Sequence, residues 1–315
     1  MPNPTITTAY AGENTAEILQ LMVLGNEAIT KGSFFIHEDV QRTKLITRGF
    51  VSANPIRPYQ SMPADILNGL SFTERSMTPV RLMIFDTINP MDFQQYWREY
   101  QPTGPLVDKV LDPAIQKVII ELYSKQVNNQ LGALMWSGNV TLAANDPLAH
   151  FNGIVVRSLA DAATIKPADT GVLTSANIVA GFKLVDDAIP NALYEDPDMV
   201  FHVSTAVARL YADAVTVFAN KGPSVSDVNP LANLKYKGRE IRSYSRFPNA
   251  NILAAKASTN VLSTNLHAAV NMADDQDNLK IERLRPEGDQ YFIKASFMMD
   301  VNYGFSEEIV ISKAS

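Results

Sequence analysis

The longest helical pattern in the chain occupies residues 112–135 and reads DPAIQKVIIELYSKQVNNQLGALM. Asp112 and Pro113 mark its start, because an aspartate caps the free N–H groups of a first turn and a proline needs no hydrogen bond there. Apolar side chains recur at helical spacing and predict one buried face, formed by Ile115, Val118, Ile119, Leu122, Leu131 and Leu134. At a rise of ~1.5 Å per residue, the helix is about 35 Å long. Replacing Ile119 or Leu122 with Asp is expected to prevent folding, since an unpaired charge would be buried.

Upstream of this helix, residues 42–86 have the pattern of a long two-stranded excursion. Strand-like ends, Thr43–Val51 and Val80–Phe85, flank a middle that is rich in proline. An isolated hairpin of this length is marginal in water unless it packs on something else. Two interpretations stay open: the excursion lies on another subunit, or it folds back on its own domain.

The N-terminal region predicts an arm, a helix and a strand. Residues Met1–Gly12 are rich in proline and threonine without periodicity, a helix follows from Asn14 to Gly32, and Phe34–Val40 is strand-like. The arm has no basic cluster followed by an apolar stretch, so no secretory signal is expected. A further short helix is expected at Met91–Tyr100.

Downstream of residue 136, helices and strands mix as in an α+β fold. The predicted helices are Ser175–Ile189 and Thr205–Ala219, which flank the extended segment Met199–Val203. The remaining predicted strands are Ile154–Val156, Lys235–Ile241, Asn251–Ala255, Leu279–Leu284, Tyr291–Asp300 and Glu308–Ile311. A change of subdomain is expected near Ala168.

Composition narrows the class of protein. The 315 residues, 46% of them hydrophobic and 19% charged, suffice for one large or two medium globular units. A net charge of −6 argues against a protein that grips nucleic acid by neutralising phosphates. The chain has no cysteine, which excludes disulfides, thiolate metal sites and cysteine nucleophiles. Apolar stretches are far shorter than the roughly 20 residues of a membrane span.

No pattern of catalytic or ligand-binding residues stands out. The four histidines, His37, His150, His202 and His267, are isolated along the chain and are expected to be structural, with His202 buried in mid-strand. The acidic residues Asp274, Asp275 and Asp277 lack the spacing of a calcium loop and are expected in a solvated turn. Phosphate loops, dinucleotide motifs and esterase elbows are missing from the sequence. We therefore predict no catalytic, cofactor-binding or metal-binding residue and no cofactor.

One basic stretch contains interleaved tyrosines. It consists of Lys235, Tyr236, Lys237, Arg239, Arg242 and Tyr244. Alternate residues of a strand share a face, so these charges are expected to form an exposed edge. Local contact with nucleic acid is the alternative.

Two sets of short motifs resemble a known family. The run Asn89-Pro90-Met91-Asp92-Phe93, followed by Trp97-Arg98, Gln101-Pro102-Thr103-Gly104 and the Asp112-Pro113 helix, resembles major capsid proteins of phages and prophages of Bacteroidetes-type bacteria. The long helix, Gly138-Asn139, the turn Phe151-Asn152-Gly153, the helices around Met199–Val203, Lys237-Gly238 and Pro248 resemble, in that order, the wider Hong Kong 97-type capsid family. This order covers nearly the whole chain.

The resemblance implies an architecture and a function. It implies an N-terminal arm and helix (1–41), an extended loop (42–86), a peripheral domain with a long spine helix (87–168 and 270–315) and an axial domain (169–269). The function implied is self-assembly, through hexamers and pentamers, into an icosahedral shell around packaged double-stranded DNA, with each extended loop lying over a neighbour. Implied partners are the portal, a separate scaffolding or decoration protein and non-specifically held DNA, without a membrane. The location implied is the virion, assembled in the bacterial cytoplasm, and no enzymatic activity is implied.

The chain departs from the best-known family members in two ways. Only 111 residues precede the long helix, which leaves no room for a fused scaffolding domain. There is no lysine between Lys44 and Lys109, so a covalent crosslink through the extended loop is not expected. The alternatives are an encapsulin-like bacterial compartment, another virion component such as a tail tube, and a metal-independent enzyme whose site is not visible in the sequence.

Overall fold

A computed structural model describes most of the chain. The described residues are 22–51, 56, 59, 61, 70–89, 113–219, 234–258, 260, 261, 263–271, 280–284 and 290–313. The predicted arm, the predicted helix at Met91–Tyr100 and the acidic residues Asp274, Asp275 and Asp277 lie outside them.

Helices and strands alternate irregularly, as in an α+β fold. The helices are α1 (Glu27–Thr30), α2 (Pro113–Ser137), α3 (Ile154–Ala160), α4 (Ile178–Asp187), α5 (Asn191–Tyr194) and α6 (Thr205–Ala219). The strands are β1 (Phe35–His37), β2 (Lys44–Val51), β3 (Leu70–Met77), β4 (Val80–Ile88), β5 (Met199–Ser204), β6 (Lys235–Tyr236), β7 (Arg239–Tyr244), β8 (Leu253–Lys256), β9 (Leu266–Asn271), β10 (Lys280–Arg283), β11 (Tyr291–Tyr303) and β12 (Val310–Ile311).

The strands form two sheets and a separate hairpin. In the first sheet, β11 pairs antiparallel with β4, β9 and β10, and β1 pairs parallel with β9. The second sheet has the order β12-β8-β5-β7-β6, with β5 and β7 parallel. The hairpin consists of β2 and β3 alone.

The second sheet is buried on both faces. Along β5, Phe201 and Val203 belong to an apolar cluster with α4 and α6, while His202, on the opposite face, contacts the ring of Trp136. Along β8, Ala254 belongs to that cluster and Leu253 to the cluster around α2. Because side chains alternate across a strand, one sheet separates the two cores.

The end of α2 is fixed against the chain that enters α3. Gly153 donates its N–H to the carbonyl of Gly138 at 2.8 Å. A Cβ atom on Gly138 would lie 2.3 Å from the carbonyl oxygen of Phe151, and one on Gly153 would lie 2.6 Å from that of Trp136. Only glycine allows two backbones to approach this closely. The Gly-Asn and Phe-Asn-Gly motifs of the sequence are therefore parts of one contact.

Several predicted elements are confirmed. The helix at residues 112–135 appears as α2, the two helices around Met199–Val203 appear as α4 and α6, and the extended segment between them is β5. The predicted strand with a turn at Lys235–Ile241 is the β6–β7 hairpin, in which Lys237 and Gly238 both have positive φ.

Three local predictions are wrong. The helix predicted from Asn14 to Gly32 is interrupted at residues 25–26, because Asn26 accepts a hydrogen bond from the N–H of Ala28 and caps a new helix, α1. Ile154–Val156 begins the helix α3, since a short apolar run cannot distinguish helix from strand.

The third wrong prediction concerns the partner of the strand at Val80–Phe85. The strand that pairs with β2 is β3, whereas β4 pairs with β11, more than two hundred residues further along the chain. Leu82 and Ile84 of β4 point toward the core around α2, which explains why β4 belongs to the first sheet. The predicted domain ranges remain a prediction. They assign most of β4 to the extended loop (42–86), although β4 pairs with β11 of the first sheet.

The buried face of α2 also differs from the predicted one. Ile120, Val127, Leu131 and Leu134 are buried, whereas Val118 and Leu122 are exposed. The first turns of the helix carry apolar residues on two faces, with Ile119 between them, so spacing alone could not identify the buried face.

The same substitution should have a small effect on the exposed face of α2 and a large effect on its buried face. Leu122→Asp should change the free energy of unfolding of the subunit by no more than about 0.5 kcal/mol, because the side chain is 65% exposed. Ile120→Asp should lower it by about 3–5 kcal/mol, because an unpaired carboxylate would replace a side chain that is 6% exposed. Urea unfolding followed by circular dichroism measures both. Equal losses in the two variants would contradict the observed orientation of the helix.

Candidate interaction surfaces

The two faces of the β2–β3 hairpin differ in character. On the face that we call the inner face, Ile46, Arg48, Arg75 and Met77 are partly or fully buried. On the opposite, outer face lie Leu45, Val51, Leu70 and Phe72. The register places Ile46 opposite Arg75 and Val51 opposite Leu70, so each face continues across both strands.

At its root the hairpin is held by apolar packing. Met77 is fully buried in a small cluster with Val40 and Ala269, against which Ile46 packs. Asn302 of β11 donates from its amide to the carbonyl of Ser76 at 2.8 Å. These contacts fix the base of the hairpin against β9 and β11 of the first sheet.

Further from the root, Arg48 binds the inner face to the body. Its guanidinium donates to a carboxylate oxygen of Glu308 at 2.5 Å and lies over the ring of Phe305, 4.3 Å from the centroid. Lys256 also approaches Glu308, with its Nζ 3.7 Å from the same oxygen. The carboxylate of Glu308 thus links the hairpin to the second sheet.

Arg75 makes a second anchor of the same kind. Its guanidinium pairs with Asp161, donates to Ser306 Oγ at 3.0 Å and lies 4.4 Å from the ring centroid of Tyr303. Partial burial raises the pKa of Asp161, but hydrogen bonds from the N–H of Ala163, from Arg75 and from the Tyr303 hydroxyl outweigh it and lower that pKa to about 2. The carboxylate therefore stays charged at any physiological pH, and the anchor persists.

The outer face is apolar and exposed. The exposed fractions are 50% for Leu45, 66% for Val51, 56% for Leu70 and 64% for Phe72. Gly49, opposite Phe72, has no side chain, and a Cβ atom there would lie 3.1 Å from the phenylalanine ring. Because the inner face is bound to its own body, this apolar face is available to another molecule.

A groove lies between α2 and β4. Its volume is about 160 Å³, and its lining includes Leu82, Ile84, Val127, Leu131 and Phe297. Met83, Leu134 and the polar residues Arg81, Gln130 and His150 complete the lining. The groove thus combines an apolar floor with basic side chains.

Sequence reasoning found the hairpin but missed its anchors. Arg48 and Arg75 lie in strands whose other face is exposed, and their partners come from residues 161 and 303–308. An available signal in β3 was the position of Arg75 on the face opposite Leu70 and Phe72. The strand at Leu70–Met77 was not predicted, because the alternation of Leu70 and Phe72 with polar residues stops at Glu74.

Most of the charges in the basic stretch are paired within the chain. Lys237 and Arg239 both donate to the carboxylate of buried Asp186, at 2.7 and 2.9 Å, and Arg242 pairs with Glu240 at 3.1 Å. Tyr236 and Tyr244 are buried in the two cores. Carboxylates of the same chain thus pair with three of the four basic residues, whereas Lys235 is exposed in the edge strand β6. The predicted exposed edge is corrected for the three paired residues, and the nucleic-acid alternative loses most of its basic track.

The four histidines fall into three environments. His202 is fully buried, as predicted, and its Nδ1 lies 3.0 Å from the Tyr244 hydroxyl. His37 and His267 meet across β1 and β9, with Nε2 and Nδ1 3.2 Å apart, so they are isolated in sequence but paired in space. His150 is exposed at the groove. Among the described residues, groups of three or more histidines and carboxylates that could hold a metal ion do not occur.

Burial lowers the pKa of two histidines well below the usual value. For His202 burial, assisted by the positive charge of Arg242, lowers the pKa to about 3. For His267 burial, assisted by His37, lowers it to about 4. Both side chains are therefore neutral in the folded chain near pH 5, whereas they would be charged in the unfolded chain.

This difference predicts an acid-sensitive subunit. Between pH 6 and pH 4.5 the unfolded chain binds protons at these positions and the folded chain does not, so stability falls with pH by up to about 1.4 kcal/mol per pH unit for each histidine. Urea unfolding of the unassembled subunit at several pH values measures the slope. His202→Phe should reduce the slope, and His150→Gln should leave it unchanged. An unaltered slope in His202→Phe would refute the assignment.

Within the described helices, none is both long and apolar enough to cross a membrane. Protein-family models give no match to the sequence, and no curated protein is significantly similar to it. The similarities that exist are therefore structural.

Solved structures of capsids share this fold. A procapsid of satellite phage P4 that includes the size determination protein aligns over 95% of this chain and 90% of its own, with 13% identity and a TM-score of 0.60. The capsid of cyanophage P-SCSP1u aligns over 91% and 88%, with 11% identity and a TM-score of 0.55. A virus-like particle from Pyrococcus furiosus aligns over 96% and 98%, with 9% identity and a TM-score of 0.52. The α+β fold expected from the sequence, the Hong Kong 97-type capsid fold, is thereby confirmed.

Proposed function

We propose that this chain is a major capsid protein, which self-assembles into an icosahedral shell around the double-stranded DNA of a tailed phage. The observation that carries the proposal is the outer face of the hairpin: four apolar side chains, each at least half exposed, on a hairpin whose inner face is bound to its own body. A capsid fold supplies the partner that this face lacks, namely a neighbouring copy of the chain.

A weak hairpin contact can hold a shell together because every copy of the chain repeats it. Burying one of these side chains fully stabilises an interface by about 1–2 kcal/mol, so a single hairpin contact is weak. In a closed shell every copy gives one hairpin and receives another, and the contacts reinforce each other by avidity. With no lysine between Lys44 and Lys109, this account relies on non-covalent burial.

The proposed architecture follows the capsid fold. Residues 1–41 would form the N-terminal arm and helix, 42–86 the extended loop, 87–168 and 270–315 the peripheral domain and 169–269 the axial domain. The partners would be further copies in hexamers and pentamers, a portal, and a separate scaffolding or decoration protein. A net charge of −6 suits a wall that holds packaged DNA without trapping it. We place the chain in the virion, after assembly in the bacterial cytoplasm, and without enzymatic activity.

One observation favours a second candidate. The similarity to a virus-like particle from Pyrococcus furiosus extends over 98% of that chain, so the fold is not confined to phage capsids. The second candidate is therefore an encapsulin-like bacterial compartment, whose shell would enclose cargo proteins. The two candidates differ in what the shell contains.

Nuclease protection separates these candidates. Particles are purified from cells that make the chain together with the products of its neighbouring genes, treated with DNase, and then opened. Protected double-stranded DNA of uniform length is expected for a phage capsid. Particles that contain protein cargo and no protected DNA would replace the proposal by the compartment.

A further inference from the structure

Two histidines meet at the β1 end of the first sheet. His37 of β1 and His267 of β9 lie on neighbouring parallel strands, and Phe35 is the residue opposite His267. Nε2 of His37 lies 3.2 Å from Nδ1 of His267, and the ring centroids are 5.3 Å apart. Two imidazole nitrogens at this distance share one proton when they are alone, and the same two lone pairs suit a metal ion.

The separation of the two nitrogens matches the bite of a metal ion. With metal–nitrogen distances of ~2.0–2.1 Å, an ion that lies off the line between the nitrogens makes an N–metal–N angle of about 100°. This angle lies between the square-planar and tetrahedral values that Cu²⁺ and Zn²⁺ adopt. The strands can keep their positions, because the shared proton moves to the other nitrogen of its own ring and both ligating nitrogens then offer a lone pair.

Both rings are held in place and are neutral near pH 7. The ring of Phe35 packs edge-on against both, with centroid distances of 4.9 Å to His37 and 6.3 Å to His267. Burial, assisted by the positive charge of Lys44, lowers the pKa of His37, and burial assisted by His37 lowers the pKa of His267. Because histidine binds a metal only through a deprotonated nitrogen, protons compete little with an ion at this pair.

The surroundings of the pair select the class of ion. His37 is partly exposed and is followed by the exposed residues Glu38 and Asp39, so water can complete the coordination of an ion at this place. Imidazole nitrogens suit Cu²⁺, Ni²⁺ and Zn²⁺, whereas Mg²⁺ and Ca²⁺ require oxygen ligands. The ammonium of Lys44, which is exposed, opposes a cation by repulsion.

We propose that His37 Nε2 and His267 Nδ1 together bind one divalent ion of the Cu²⁺, Ni²⁺ and Zn²⁺ class, with water in the remaining positions. The ion joins β1 to β9 close to the base of the hairpin, where Ile46 packs with Ala269. It stabilises the folded subunit, since only the folded chain brings the two ligands together. The site is independent of the proposed self-assembly, because both ligands belong to one chain.

Calorimetric titration of the unassembled full-length chain with Zn²⁺ and with Cu²⁺ near pH 7 tests the site. One equivalent should bind, and His37→Gln should weaken its binding at least about tenfold, because the loss of one ligand abolishes the chelate. His150→Gln removes an exposed histidine outside the pair, and as the matched control it should leave the affinity unchanged. Equal affinities in the unmodified chain and in His37→Gln would reveal an adventitious ion only, and that result, or no binding at millimolar metal, would overturn the proposal.

A second variant and a spectrum test the geometry of the site. Lys44→Gln removes the opposing charge and should strengthen binding about threefold. Electron paramagnetic resonance of the Cu²⁺ complex should show two nitrogen ligands in the unmodified chain and fewer in His37→Gln. Zn²⁺ at a roughly hundredfold excess over its dissociation constant should raise the thermal unfolding midpoint by about 4 °C, and it should raise that of His37→Gln much less. Weaker binding in Lys44→Gln, a single nitrogen ligand in the unmodified chain, or equal shifts of the two midpoints would contradict the shared site.

Discussion

Replacing residues 49–72 with the dipeptide Asn-Gly is expected to leave a folded subunit that forms no shells. Arg48 and Thr73 lie opposite each other in the hairpin, so a two-residue type I′ turn can join them. Both arginine anchors remain in the shortened hairpin. The apolar residues Val51, Leu70 and Phe72 of the outer face are removed, and with them the proposed contact with the neighbour.

Size-exclusion chromatography with light scattering, followed by electron microscopy, measures this effect. The shortened chain should elute as a small species, with a thermal unfolding midpoint close to that of the unmodified subunit. Ser76→Ala, at the root of the same outer face, is the control and should assemble normally. Normal shells from the shortened chain would show that the hairpin is dispensable and would reject its assignment as the extended loop.

Trp136→Ala is expected to lower the free energy of unfolding by about 3–5 kcal/mol. The indole is 1% exposed, and its ring centroid lies 5.0 Å from each of those of Phe34, Tyr244 and Phe247. The substitution leaves a cavity between the end of α2 and the second sheet. It also removes ring contacts that join the N-terminal region to β7.

Trp136→Phe is the matched control for this cavity. It keeps an aromatic ring, and it sacrifices no hydrogen bond, because the indole N–H is buried without a partner. We expect a clearly smaller loss than for Trp136→Ala. Urea unfolding followed by far-ultraviolet circular dichroism gives both values. A loss below about 1 kcal/mol for Trp136→Ala would contradict a structural role at this junction.

The long helix could be predicted because its ends are marked locally. The Asp112-Pro113 sequence predicts its start and the Trp136-Ser137-Gly138 sequence predicts its end, and the helix runs from Pro113 to Ser137. Its buried face depends instead on which elements pack against it. Ile120 and Leu122 are equally apolar in sequence, and only the position of the first sheet decides that Ile120 is the buried one.

Strand pairing was less predictable for the same physical reason. β4 pairs with β11 and not with the preceding strands, a choice made by packing over a long sequence separation. The candidate surfaces also divide into features set by the local sequence and features set by long-range packing. The need of the hairpin for a packing surface could be inferred from its length, although not whether its own domain or another subunit supplies it. The anchors of Arg48 and Arg75 and the groove beside Arg81 exist only once distant segments have met.

Closure of many copies of this chain into a shell is the central element of the proposed function. Negative-stain electron microscopy of the purified chain, alone and with the products of its neighbouring genes, tests this closure directly. We expect closed, angular particles of uniform size. Tubes would indicate a different virion component, and a chain that stays monomeric under all conditions would contradict the proposed function.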